Sequence, residues 1–247
     1  AGDINFVITG GSGEDTITTG DGNDTIVTGN GGGTVTAGAG DDHITGGTGA
    51  DTILGGDGND TILQAAGGGT ITGGGGADIL TGGGGTDVVK WTGTTAALIA
   101  TETGTTAGTD VDFSESTSGD DVVSFTKGTD KLHFSRTLLT NAIGIEIHTL
   151  KTIAATQTVA NTDRFVEITT AFNGQTGDAI ADLDALITTA VAIGDSFVAF
   201  MNDATDGYLF LVDQVSTAGT IEAQDVTLIG TVSGVTNVAN GDFVSFA

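Results

Sequence analysis

The sequence predicts an all-β chain: a parallel β-roll over residues 1–90, then a β-rich domain with one helix over residues 91–247. Three observations carry that reading. Nine consecutive nine-residue units run without a gap from Gly10 to Lys90, the first six residues of most units are rich in Gly and Asp, and the eighth is always a large aliphatic. The units read GGSGEDTIT, TGDGNDTIV, TGNGGGTVT, AGAGDDHIT, GGTGADTIL, GGDGNDTIL, QAAGGGTIT, GGGGADILT and GGGGTDVVK.

Each unit divides into a turn and a strand. A tight turn needs positive φ and close backbone approach, which a residue without a Cβ adopts at little cost, so the first six positions favour Gly. The last three alternate, as in Thr16-Ile17-Thr18, with the central aliphatic facing one way and its neighbours the other. One aliphatic per nine residues builds no core alone. Two units facing each other across a flattened coil bring together two ladders, Ile17, Val35, Ile53, Ile71 and Val89 against Ile26, Ile44, Ile62 and Leu80. Stacking coils at the roughly 4.8 Å strand spacing makes that core continuous, so the coil repeats every eighteen residues.

Units eighteen residues apart share one edge of the roll. On the first edge the sixth positions are Asp24, Asp42, Asp60 and Asp78; on the second they are Asp15, Gly33, Asp51, Gly69 and Asp87. Stacked carboxylates without basic partners suit calcium, which takes about six to eight oxygen ligands from carboxylates and carbonyls. The pattern predicts several Ca²⁺ ions. Three well-formed sites are expected on the first edge, between Asp24 and Asp42, Asp42 and Asp60, and Asp60 and Asp78. The turn glycines Gly20, Gly22, Gly38, Gly40, Gly56, Gly58, Gly74 and Gly76 belong to the same sites. The second edge, with Asp15, Asp51 and Asp87, is expected to bind weakly or not at all.

These units closely resemble the nonapeptide of RTX proteins, a calcium-binding parallel β-roll repeat. Composition agrees with an exported protein of that kind. The formal net charge is −26, with only six Lys and Arg, which argues against nucleic acid and against an anionic membrane surface. There is no Cys, hence no disulfide or thiol chemistry. An acidic chain repels itself where calcium is scarce and compacts where calcium binds only the folded state. Neither a signal peptide nor an apolar run of about 20 residues is visible. The opening AGDINFVIT is in frame with an incomplete unit, so the sequence reads as the C-terminal part of a longer protein.

After Lys90 the register is lost. Residues 91–118 read as irregular strands and loops. Residues 119–134 read as two short strands around a turn that Asp130 holds, with Phe125, Leu132 and Phe134 buried; this segment resembles the one located after the repeats in type I secreted proteins. Asp178 to Ile193 carries helical spacing at Ile180, Leu183, Ile187 and Val191. Ser196–Met201 and Tyr208–Val212 predict a hairpin, and Val226–Ile229 and Phe243–Phe246 further strands. The ending Asp242-Phe-Val-Ser-Phe-Ala247 resembles a type I secretion signal. Asp213 to Asp225 fails as an EF-hand, with Val215 and Thr217 at ligand positions and Ala218 at the sharp turn.

Nothing in the sequence predicts an enzyme. His43, His133 and His148 are scattered, Gly194-Asp195-Ser196 lacks nucleophile-elbow spacing, and the Gly runs lack the Lys-Ser/Thr of a phosphate loop. Two function classes remain. One is the C-terminal region of a self-associating surface-layer subunit, resembling the RTX-type S-layer proteins of Gram-negative bacteria. The other is the export and folding module of a secreted enzyme, toxin or adhesin. The Thr, Ala, Gly and Val bias favours the first. Leu54, Leu63, Ile79 and Val88 occupy outward positions and predict an apolar patch, covered by residues 91–247 or by a neighbouring subunit.

Overall fold

The computed structural model describes residues 3–92, 120–123, 131–135, 150–153, 165–168, 197–202, 206–212, 226–235, 237 and 243–246. The repeats form an all-β parallel solenoid of about five turns. Strands β1 (Val7–Thr9), β3 (Thr25–Val27), β5 (His43–Thr45), β7 (Thr61–Leu63) and β9 (Ile79–Thr81) lie side by side in one sheet. Strands β2 (Asp15–Thr18), β4 (Gly33–Ala39), β6 (Asp51–Asp57), β8 (Gly69–Gly75) and β10 (Asp87–Trp91) lie in the other. Every pairing within the roll is parallel at a step of eighteen, as in Ile26↔Ile44↔Ile62↔Leu80 and Ile17↔Val35↔Ile53↔Ile71↔Val89. All nine eighth-position aliphatics are buried. Each contributes roughly 1.5–3 kcal/mol of transfer free energy.

The two sheets are unequal in length for a reason visible in the turns. The longer strands β4, β6 and β8 run on past their aliphatic into the first-edge turn, where Gly38↔Gly56↔Gly74 stay in register. These turns are thus bonded coil to coil. Gly56 illustrates the constraint: its φ is 136°, and a Cβ there would overlap the Gly38 carbonyl oxygen.

The repeat ends at Lys90, yet the sheets continue. Strand β11 (Asp120–Val123) pairs parallel to β9 through Val122↔Leu80, and β12 (Lys131–Ser135) pairs parallel to β10 through Leu132↔Val89. Trp91, expected to begin an irregular region, instead ends β10 and is buried in the same core as Leu132. Strands β17 (Val226–Val232) and β18 (Phe243–Phe246) then pair parallel to β11 and β12. Strands β15 (Phe197–Asn202) and β16 (Gly207–Val212) form the expected antiparallel hairpin; β13 (Leu150–Ile153) and β14 (Phe165–Ile168) complete that sheet. The helix expected at 178–193, the turn at Asp130, Phe125, the loop 213–225 and the Phe134 side chain lie outside the described residues. No helix among the described residues is long and apolar enough to cross a membrane.

The expected apolar patch is not one patch. Leu63 and Ile79 sit on the sheet of β7 and β9, Leu54 and Val88 on that of β6 and β10, so the four face opposite sides of the roll.

Candidate metal centre along the first edge

Each first-edge turn ends on an aspartate whose two oxygens have different surroundings. One oxygen ties coil to coil: the Asp24, Asp42 and Asp60 backbone N–H groups donate to Oδ1 of Asp42, Asp60 and Asp78 at 2.7, 2.8 and 2.8 Å, and Phe6 N–H donates to Asp24 Oδ1 at 2.7 Å. The other oxygen, Oδ2 of Asp24, Asp42 and Asp60, is buried and accepts no hydrogen bond. Burying an unpaired anionic oxygen is costly unless a proton or a cation joins it. The cost is visible at Asp60. Burial, opposed in part by the Asp42 N–H and reinforced by the charges of Asp78, Asp42 and Asp41, pushes its carboxyl up to about 7. Burial also raises Asp42, with Asp24 and Asp41 adding repulsion.

The turn backbone completes the cradle. Gly22, Gly38, Gly40, Gly56, Gly58, Gly74 and Gly76 all have positive φ; Gly20 shares the turn without it. Among the described residues no three Asp, Glu, His or Cys side chains cluster as a metal site. Two carboxylates per joint fall short of the roughly six to eight oxygens that calcium takes, so turn carbonyls would have to supply the remainder. The donor set fits: Asp24, Asp42, Asp60 and Asp78 would hold calcium, which when bound neutralises the buried carboxylates and cross-links the coils.

The second edge has different chemistry. Asp15 Oδ2 accepts Gly11 N–H at 2.7 Å and Asp87 Oδ2 accepts Gly83 N–H at 3.0 Å, each within its own turn. Asp51 accepts Gly33 N–H on Oδ1 at 2.8 Å, with Gly47 N–H and the Gln64 amide both at 3.0 Å on Oδ2. Hydrogen-bond donors therefore hold both oxygens of Asp51 and Oδ2 of Asp15 and Asp87, and Gly33 and Gly69 supply no carboxylate.

A side-chain ladder that the repeat pattern does not announce runs beside the first edge. Asn23, Asp41, Asn59 and Ala77 N–H groups donate to Oδ1 of Asn5, Asn23, Asp41 and Asn59 at 3.0, 3.1, 2.9 and 2.8 Å. Its direction is opposite to that of the aspartate ladder. Its signal in the sequence is a polar fifth position recurring every eighteen residues, and it reaches back to Asn5 before the first full unit.

Protons compete with cations here, which gives a pH dependence. A folded-state pKa above the unfolded value means the folded form binds the proton more tightly. The resulting stabilisation is full below about 3.8 and is lost as pH rises through about 7 for Asp60. In chelator the chain is expected to gain β-sheet circular dichroism on acidification across that window. A calcium-free spectrum indifferent to pH there contradicts the burial of these carboxylates.

Residues 7–35, 27–62 and 65–89 each match the family described as RTX calcium-binding nonapeptide repeat (4 copies). No curated protein matches the chain. The chain thus carries RTX repeats, which bind calcium, and proteins carrying them are typically secreted.

Proposed function

We propose that this chain is a calcium-dependent structural protein of the bacterial cell surface: the C-terminal region of a surface-layer subunit. It leaves the cell unfolded through a type I secretion system, then folds and assembles on extracellular calcium. The column of buried, donor-less carboxylate oxygens at Asp24, Asp42 and Asp60 carries this reading. Such a column is unfavourable in the calcium-poor cytosol and favourable outside, so the site itself separates an export-competent chain from a folded one.

Two further observations support assembly over catalysis. Leu54, Leu63 and Ile79 remain 39%, 39% and 46% exposed, and the topology puts them on opposite faces of the roll. Leu63 and Ile79 lie on neighbouring strands of one sheet, so that face offers a neighbouring subunit an aliphatic contact, while the other face offers Leu54 alone. The partners in this reading are other copies of the chain and the secretion machinery, and the role is structural, with no reaction assigned.

Light scattering with negative-stain imaging, before calcium, after millimolar calcium and after chelation, tests it. Reversible sheets or ordered oligomers are expected. A compact calcium-loaded monomer overturns the lattice role and moves the function to an export and folding module. The paired change Leu63→Thr and Ile79→Thr is expected to abolish assembly while shifting monomer stability by no more than about 0.5 kcal/mol, as surface substitutions do. Assembly that survives both changes rules out this face as a contact.

A further inference from the structure

We infer that the Gln64 side-chain amide stands in for a cation on the second edge, so that the joint between the coils of Asp51 and Gly69 holds without calcium. The inference depends on calcium holding the first edge, as proposed above. Gln64 opens the seventh unit and is the longest side chain at a position otherwise Gly, Thr or Ala. It is completely buried. A buried amide needs partners, and its Nε2 has two: it donates to Asp51 Oδ2 at 3.0 Å and to the Gly68 carbonyl oxygen at 2.8 Å.

A carboxylate oxygen and a turn carbonyl are the two ligand types that calcium takes. Here a neutral group with two N–H donors bridges them. The partners also fix the orientation, since a flipped amide would set Oε1 against two acceptors. Oε1 itself accepts no hydrogen bond, so the residue is held through its nitrogen. Gly46 leaves the room: a Cβ there would lie 3.3 Å from both Nε2 and Oε1, and 2.8 Å from Asp51 Oδ2.

The roll contains its own contrast. The third unit also lacks a sixth-position Asp, having Gly33, and it opens on Thr28. That hydroxyl is buried and reaches no partner. Of the two second-edge units without a carboxylate, only the one with the longer side chain is stapled. The stapled joint sits mid-roll, between β6 and β8, where ordered backbone offers a template to coils on both sides.

Hydrogen exchange of the full chain in chelator and in calcium tests this, with Gln64→Ala and Gln64→Glu beside the wild type. In chelator the wild-type amides of 51–54 and 69–72 are expected to exchange at least about tenfold more slowly than those of Asp24, Asp42 and Asp60, and Gln64→Ala to remove that difference, as losing buried hydrogen bonds to a charged group implies. Gln64→Glu sets a second carboxylate beside Asp51. It is expected to make the joint calcium-dependent and to add one bound calcium by equilibrium dialysis. A wild type without any calcium transition overturns the calcium reading and this inference with it. A normal calcium transition with uniform exchange in chelator, or with Gln64→Ala indistinguishable from wild type, overturns the inference alone.

Discussion

Gly56→Ala is expected to leave the roll unfolded at any calcium concentration. Gly56 sits between two coils, paired with Gly38 on one side and Gly74 on the other. Its φ of 136° is one that L side chains rarely adopt, and an added Cβ would overlap the Gly38 carbonyl oxygen. Neither problem relaxes locally, because the atom in the way is the backbone of a stacked coil rather than a movable side chain. The loss should exceed about 4 kcal/mol, the range reserved for disruptions of backbone or core. Gly20→Ala is the control. It lies in an equivalent turn with nothing within 4 Å of a new Cβ, and should unfold within about 0.5 kcal/mol of wild type. Thermal unfolding in millimolar calcium reads both; equal tolerance of the two changes would falsify the stacking account.

Asp60→Asn carries the second large effect, and it acts on calcium rather than on the backbone. Asp60 belongs to two joints: its Oδ1 accepts the Asp42 N–H at 2.8 Å, while its own N–H donates to Asp78 at 2.8 Å. Asparagine keeps the Oδ1 acceptor and replaces Oδ2 with an NH₂ that cannot ligate a cation. The calcium midpoint for folding is expected to rise at least tenfold, about 1.4 kcal/mol, with binding lost at both joints. In chelator at neutral pH the sign reverses. A carboxyl that burial holds up at about 7 opposes folding once ionised, and the neutral amide does not, so the variant should be the more ordered calcium-free chain. Asp51→Asn, on the second edge, should lower stability with and without calcium and leave the number of bound ions unchanged. Equal calcium loss from both substitutions would refute the difference between the edges.

The parts of this fold legible in the sequence are those written with a strict period. Ile17 through Val89 recur every nine residues, and Asp24, Asp42, Asp60 and Asp78 every eighteen, so position in the repeat implied position in space. The features that were not legible depart from that period or hide within it. The Asn5, Asn23, Asp41 and Asn59 ladder obeys the period, but a polar residue in a Gly-rich turn also satisfies its own solvation and gives no sign of bonding to the next coil. Gln64 breaks the pattern and reads as decay of the repeat, although its amide is among the best-connected side chains on its edge. Splitting Leu54 and Val88 from Leu63 and Ile79 needed only row parity, since odd and even units lie in different sheets. The continuation of both sheets through β11 and β12 was less accessible. Parallel pairing across a long excursion leaves no local mark, because any short apolar strand can add to a sheet edge.

Coils that touch only their immediate neighbours also give the roll a mechanical character. Force applied between an end coil and the next one meets a single row of backbone bonds and whatever ions or side chains bridge that one joint. Yielding at the joint frees eighteen residues, about 60 Å of extended chain, and leaves the coil behind it intact. A chain of this kind lengthens in equal steps under tension and shortens again by re-stacking on the template that remains. Its strength per step is set by the calcium concentration of its surroundings, and at the joint between the coils of Asp51 and Gly69 an amide adds to it.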